Sequence, residues 1–338
     1  MKVLLRADAS PTQGTGHVMR CLTLAEELIL RSHEVLLLTN ESGVDWLESI
    51  ILDASITVVR TTQHSMDFDE ILGLSPDWVI TDSYEIDADE ISALRPGCHV
   101  LAIVDGDDRG IEADLYVDHN LGAEDGPWRK STKDRLLAGN EFALIRDAIL
   151  CQRREKPWEM KGRIPHLVAF MGGSDPTGTI VLVAGALARI DETFTTTLIV
   201  PPARRQEVEF VIAGFPNFQV ATPTTELPVL LGAADIAISA CGTSAWELCT
   251  LGTPSLLLAV VDNQRESLHH LVENELVTGL DLTLEVSEGE AVGAIVERVT
   301  SLLTDRAKRE NLSRRCLLSY DGLGKERVVA ALEAIGAP

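Results

Sequence analysis

The stretch Val3-Leu4-Leu5-Arg6-Ala7-Asp8-Ala9-Ser10-Pro11-Thr12-Gln13-Gly14-Thr15-Gly16-His17-Val18-Met19-Arg20-Cys21-Leu22-Thr23-Leu24-Ala25-Glu26-Glu27-Leu28 decides how the chain is read. Val3 to Arg6 is a short apolar run, the pattern of a strand buried on both faces. Leu22, Leu24, Ala25 and Leu28 then recur at helical spacing. Between them Gly14-x-Gly16-His17-x-x-Arg20 forms a strand-to-helix turn, with His17 in the first helical turn. Glycines there let backbone approach a ligand closely, and unpaired amides at a helix start favour an anion. The same positive helix end disfavours imidazolium, which leaves His17 neutral and able to take a proton, as a general base must. A capping loop with a hydrogen-bonded histidine is the structural alternative. Arg20, one turn on, is expected to orient the helix or pair with Asp8.

The same alternation continues outward. Strand candidates are Val3 to Arg6, Glu34 to Leu38, Ile56 to Arg60, Trp78 to Thr81, Val100 to Val104 and Leu115 to Val117, then His166 to Phe170, Thr196 to Val200, Phe218 to Ala221, Ile236 to Ser239 and Pro254 to Leu258. Segments of helical length separate them, the signature of parallel sheets with crossover helices. Between Gln152 and Pro165 the pattern breaks into a charged stretch interrupted by Pro157, Gly162 and Pro165, which reads as a linker. The expected architecture is α/β, with two Rossmann-like doubly wound domains facing across a cleft. The divisions are 1–151 for a domain carrying the His17 loop, 152–165 for the linker, 166–320 for a nucleotide-binding domain, and 321–338 for a final helix. Ligands in such sheets sit beyond the carboxyl ends of the strands.

Composition narrows the function classes. The chain has 338 residues, with 29 Lys plus Arg against 52 Asp plus Glu and a formal net charge of −23. Nucleic acid is not an expected partner, because sequence-independent phosphate attraction needs clustered Lys and Arg. No apolar run approaches the roughly 20 residues of a membrane span. Arg6 and Asp8 interrupt any signal-peptide core, and a cytoplasmic location is expected. The six cysteines show neither C-x-x-C pairs nor zinc spacing, and reduced buried thiols are expected.

Two further glycine loops follow strands in the second half. One is Met171-Gly172-Gly173-Ser174-Asp175-Pro176; the other is Ser239-Ala240-Cys241-Gly242-Thr243-Ser244-Ala245-Trp246-Glu247. Glycine with two hydroxyl residues at a helix start can bind a diphosphate through amides and Oγ atoms, without lysine. Glu247, about one turn into that helix, can accept both hydroxyls of a ribose. An ordinary helix cap is the alternative for any one Gly-Thr-Ser turn.

Taken in order, Gly14-Thr15-Gly16-His17-Val18-Met19-Arg20, Thr81-Asp82-Ser83-Tyr84, Val104-Asp105-Gly106-Asp107-Asp108-Arg109, Gly172-Gly173-Ser174-Asp175, the Ser239–Glu247 loop and Asp262-Asn263-Gln264 resemble the signature set of one family. It is the UDP-2,4-diacetamido-2,4,6-trideoxy-beta-L-altropyranose hydrolase family of pseudaminic acid biosynthesis, with the related spore-coat polysaccharide proteins. The resemblance implies a glycosyltransferase-B-like fold whose last helix crosses back to the N-terminal domain. It also implies hydrolysis of a UDP-linked sugar to free sugar and UDP without a metal or other cofactor, His17 activating the water. On the sugar side it implies Gly14, Gly16, Arg20, Asp82, Tyr84 and Asp105. On the nucleotide side it implies Gly172, Gly173, Ser174, Gly242, Thr243, Ser244, Glu247, Asn263 and Gln264. The chain departs from the family in three places. Phe142 lies in a segment where the family usually has a tyrosine, Asp105-Gly106-Asp107 replaces an aspartate pair, and Cys241 stands where a second glycine is common.

Two rival readings use the same residues. A glycosyltransferase of the same fold would have His17 deprotonate the hydroxyl of a soluble acceptor instead of water. A magnesium-dependent phosphoryl-transfer enzyme would use Asp105, Asp107 and Asp108 with Asp82. Asp107 and Arg109 are otherwise expected to hold their own loop.

Overall fold

Alternation along β1 (Lys2–Ala7) builds two apolar layers at once, because successive side chains of a strand point to opposite faces. In the computed structural model Val3, Leu5 and Ala7 join one buried cluster with Leu24 and Leu28 of the helix Gly16–Leu30 and with Val328, Val329 and Leu332. Leu4 joins a second cluster on the other face with Val79, Ile91, Leu94 and Val100. The structure describes residues 1–10, 13–40, 44–62, 68–125, 132, 135–159, 162–173, 175–284 and 287–338.

The chain divides into two compact units, residues 1–147 with 322–338, and residues 148–321. In the first, β1, β2 (Glu34–Thr39), β3 (Thr57–Arg60), β4 (Trp78–Asp82), β5 (His99–Ile103), β6 (Leu115–Asp118) and β7 (Leu136–Ala138) form a parallel sheet in the order β3-β2-β1-β4-β5-β6-β7. In the second, β8 (His166–Phe170), β9 (Thr195–Ile199), β10 (Phe218–Ala221), β11 (Ile236–Ala240), β12 (Ser255–Ala259) and β13 (Thr278–Asp281) form a parallel sheet in the order β10-β9-β8-β11-β12-β13. Both are Rossmann-like, as expected from the alternation. Two strands escaped the sequence reading, β7 and β13, and each lies at a sheet edge. β7 is only three residues long, and Gly279 and Asp281 break the run in β13.

The polar stretch 152–165 is tied to the second unit rather than left as a free tether. Arg153 Nη2 donates to the carbonyls of Leu317 (2.9 Å) and Tyr320 (3.0 Å). Arg154 donates to Thr253 Oγ1 (2.6 Å) and Ala234 O (2.7 Å), and the Trp158 indole donates to Asp235 (3.0 Å).

The final helix, Gly324–Ile335, packs into the first unit. Buried Lys325 reaches Glu26 (2.7 Å) and Asp147 (2.6 Å), Arg31 reaches Glu333 (2.7 Å), and the Trp78 indole donates to Gly336 O (2.8 Å). Its first residue must be glycine, because a Cβ on Gly324 would run into the backbone of Phe142 and Ala143. Backbone cannot swing aside as a flexible side chain can. Gly324→Ala is therefore expected to destabilise the protein by about 1–3 kcal/mol, the usual range for overpacking. A thermal melt checks this, and an unchanged Tm would mean that the helix start is loosely seated.

All six cysteines are free thiols, five of them buried and Cys151 exposed. Among the described residues no helix is long and apolar enough to cross a membrane.

Candidate functional site

Parallel sheets hold ligands where the strand order reverses, beyond the carboxyl ends of the two strands that part there. In the first unit that point lies between β1 and β4, because β2 and β3 extend the sheet to one side of β1 and β4 begins the other. Register places Asp82, the last residue of β4, beside Ala7, the last of β1. The loop after β1 leads to His17 and Arg20, the loops after β4 and β5 bring Tyr84 and Asp105, and β6 ends on Asp118 before His119 and Asn120. The order of groups along the site follows the order of strands in the sheet. Gly14 turns the first loop at φ +83°, a conformation that favours glycine, and its amide donates to Ser10 O (2.9 Å).

His17 Nδ1 lies 2.6 Å from Asp82 Oδ1. A carboxylate oxygen that close only accepts, so the proton sits on Nδ1 and the lone pair of the ring is at Nε2. Arg20 Nη2 is also 2.9 Å from His17 Nδ1. Two donors cannot bond one another, so that contact follows from both groups sharing Asp82. Arg20 grips Asp82 as a fork, Nε to Oδ2 at 2.6 Å and Nη2 to Oδ1 at 2.7 Å. Its remaining nitrogen, Nη1, reaches Asp105 at 3.2 and 3.3 Å and His119 Nε2 at 3.4 Å. Tyr84 donates its hydroxyl to Asp105, and its ring stands nearly perpendicular to that of His17 with the centroids 4.9 Å apart. Arg20 and Asp82 are buried, the His17 side chain is 14% exposed and the Tyr84 ring lies half in solvent.

The charges sustain one another. Burial alone would raise the Asp82 carboxyl, but the Arg20 guanidinium, with His17, outweighs it and holds Asp82 below its ordinary range. Burial likewise opposes ionisation of Asp105, and Arg20 again prevails and holds it well below the usual carboxylate range. Partial burial, reinforced by the charge of Asp105, pushes Tyr84 well above its ordinary value, so Tyr84 remains a donor. Burial, with Arg20 adjacent, pushes His119 down to about 3. Burial pushes Asp118 up to about 6, against the amides of Gly106 (2.8 Å) and Asn120 (3.1 Å) that it accepts.

His119 links this site to stability. An unfolded histidine takes a proton near pH 6.5, whereas the folded one resists until about 3. The stability it lends is complete above the unfolded value and is lost as pH falls through that window. His119→Gln is therefore expected to move acid unfolding to lower pH, checked by circular dichroism against pH. An unmoved acid midpoint would show that His119 does not drive it.

One sequence expectation is corrected. Arg20 does not pair with Asp8, which is gripped by buried Arg6 (Nη2 to Oδ2, 3.0 Å) and by the Asn40 amide (2.7 Å). Arg6 and Asp8 lie two residues apart, on one face of the extended chain, whereas Arg20 leaves its helix toward the ends of β4 and β5. The loop after β5 is held as expected, Asp107 accepting the Arg109 amide (2.9 Å) and Asp108 that of Gly110 (3.0 Å). The Arg109 guanidinium lies over the Tyr84 ring at 5.4 Å. Arg20 bonds both Asp82 and Asp105, and among the described residues no three His, Cys, Asp or Glu side chains are arranged to hold a metal ion. His119 and Asn120 were not singled out from sequence, although their position after a buried apolar run was a usable signal.

In the second unit the reversal falls between β8 and β11. Gly172 and Gly173 follow β8, and Gly242 and Thr243 follow β11 and lead into the helix Ser244–Leu251. Gln264, in the turn after β12, accepts the Val260 amide (2.9 Å) and lies beside Gly242, its Nε2 3.8 Å from where a Cβ would stand. The Thr243 side chain makes no cap at this turn. Asp175 does cap its helix, accepting the amides of Thr179 (2.9 Å) and Ile180 (3.1 Å). Glu247 is buried and Asn263 is exposed. Ser174 lies outside the described residues.

No protein-family model matches the chain. It is similar to the spore coat polysaccharide biosynthesis protein SpsG of Bacillus subtilis, 22% identical over 341 residues and covering 98% of each chain. It is also similar to the uncharacterized protein MJ1062 of Methanocaldococcus jannaschii, 24% identical over 278 residues and covering 79% of this chain, but only 57% of the length of that relative. Among solved structures it is similar to Staphylococcus aureus MnaA in complex with UDP, with a TM-score of 0.73, 13% identity and 99% and 96% of the two chains covered. The Neisseria meningitidis UDP-GlcNAc 2-epimerase bound to UDP-GlcNAc gives 0.68, 15%, and 99% and 100%. The calicheamicin glycosyltransferase CalG4 gives 0.62, 17%, and 98% and 97%. At these identities the likeness establishes the fold, which is glycosyltransferase-B-like.

Proposed function

We propose that the chain hydrolyses a UDP-linked sugar at its anomeric carbon, and that the sugar is of the 2,4-diacetamido-trideoxy class. The observation that carries this reading is the Asp82–His17 pair, with Nδ1 as donor and Nε2 as base. Water attacks the anomeric carbon while Nε2 takes its proton. The new carbon–oxygen bond forms as the bond to the diphosphate oxygen breaks, and UDP leaves with the electron pair. Asp82 offsets the positive charge that the ring gains. The likeness to UDP-binding structures supports the nucleotide, and the ordered motifs from Gly14 to Gln264 support the sugar class.

The nucleotide falls to the second unit. With Thr243 not capping its helix, its hydroxyl and that of Ser244 serve the diphosphate alongside the amides of the Gly242 turn. Replacing both with alanine is expected to weaken UDP binding at least tenfold, the equivalent of about 1.4 kcal/mol. Calorimetric titration with UDP checks this, and undiminished binding would remove these hydroxyls from the site.

A second reading is transfer of the sugar to a soluble hydroxyl acceptor. The half-exposed Tyr84 ring beside His17 favours it, because part of that ring stays open to an acceptor even with Arg109 over it. UDP release from a panel of UDP-sugars, with chelator present and no acceptor, separates the two. Release in water supports hydrolysis; release only after an alcohol acceptor is added supports transfer.

A further inference from the structure

We propose that His119 and Asn120, the dipeptide just beyond β6, are positioning residues that hold the Arg20–Asp82 fork and thereby the orientation of His17. This rests on the reading of His17 as the base but concerns residues that touch neither water nor sugar in that mechanism. Arg20 has one nitrogen, Nη1, outside its fork on Asp82. That nitrogen meets Asp105 and His119 Nε2. An imidazolium beside a guanidinium would repel it; a neutral ring with its lone pair at Nε2 accepts from it. Deep burial keeps His119 in the neutral form across the physiological range.

Asn120 does the complementary work on the other partner of Nη1. Its Nδ2 donates to Asp105 (3.2 Å) and to Asp118 (2.9 Å), so one neutral carboxamide bridges two carboxyl groups. Asp105 is thereby held where it accepts from Arg20 and from Tyr84. An aspartate in place of Asn120 would have the same shape but no donor. It would set three carboxyl groups together and draw Arg20 away from Asp82. The charged and titratable groups around His17 are Asp82, Arg20 and Tyr84, with Asp105, His119 and Asp118 behind them, and the dipeptide, His119 included, bonds Arg20, Asp105 and Asp118.

The test uses His119→Leu, His119→Gln and Asn120→Asp in the full chain, with UDP-sugar turnover and nitrogen-15 NMR of the His17 imidazole. His119→Leu and Asn120→Asp are each expected to lower kcat by about 10- to 100-fold with little change in KM, the scale of losses when outer partners of a catalytic group are removed. His119→Gln keeps a neutral acceptor and is expected to recover most of the leucine loss. The His17 nitrogen signals should show the Nδ1-protonated tautomer in wild type and depart from it in the leucine and aspartate variants. Unchanged His17 signals in both variants would overturn the inference, as would a glutamine variant no better than leucine. If wild type releases no UDP but the His17 signals respond as described, the hydrolase reading falls and the positioning role stands.

Discussion

His17→Ala is expected to lower kcat for UDP release by about 10²- to 10⁴-fold, the usual contribution of a positioned general base, while UDP binding is retained. The side chain stands at the start of the helix Gly16–Leu30, mostly covered, with Nδ1 committed to Asp82. Only Nε2 remains to take a proton, and nothing else on the loops after β1 and β4 offers an accessible basic nitrogen there. Asp82 and Asp105 are strongly ionised but bonded to Arg20, and Tyr84 holds its proton. The loops proposed to hold the nucleotide belong to the second unit, so calorimetric binding of UDP should survive the substitution. His17→Gln should behave like the alanine variant, because a carboxamide fills the space but cannot accept a proton at this pH. Turnover near the wild-type rate in either variant would transfer the role of base to another group.

The fold was legible because its strands are buried on both faces and therefore apolar throughout; β1, β4, β8 and β11 stand almost residue for residue where the runs stop. β7 and β13 were not, since β7 is only three residues long and Gly279 and Asp281 interrupt β13. The His17, Asp82, Tyr84 and Asp105 positions were legible as polar residues at the ends of apolar runs, sharpened by the ordered resemblance. Their partnerships were not. Arg20 lies 62 residues from Asp82 and 85 from Asp105, and only the strand order β1-β4-β5 makes them neighbours. A local pairing with Asp8 satisfied the sequence equally well until β1 claimed Asp8 for Arg6. His119 and Asn120 were passed over because neither belongs to a glycine loop, although both follow a buried strand as the other site groups do.

Asp82→Asn separates catalysis from packing most sharply. The substitution preserves shape but removes the charge, and the new carboxamide must turn either its oxygen or its NH2 toward His17. If the oxygen faces His17 Nδ1, the NH2 faces Arg20 Nε, donor against donor at what is now a 2.6 Å contact. If the NH2 faces His17, the ring must shift its proton to Nε2, and the base is lost. The second arrangement predicts a fall in kcat of about 10²- to 10⁴-fold, in line with the cost of leaving a catalytic histidine in the wrong tautomer; the first keeps the tautomer but removes the charge that offsets the imidazolium. Stability should fall as well, because Arg20 is buried and would lose a two-point anionic partner, a change that typically costs about 3–5 kcal/mol. The two effects are distinguishable. Activity measured well below the lowered Tm, with circular dichroism as the check on folding, reports the effect on His17 apart from the loss of stability. A stable, UDP-binding Asp82→Asn protein with wild-type kcat would mean that Asp82 serves only Arg20, and that His17 acts without an orienting carboxylate.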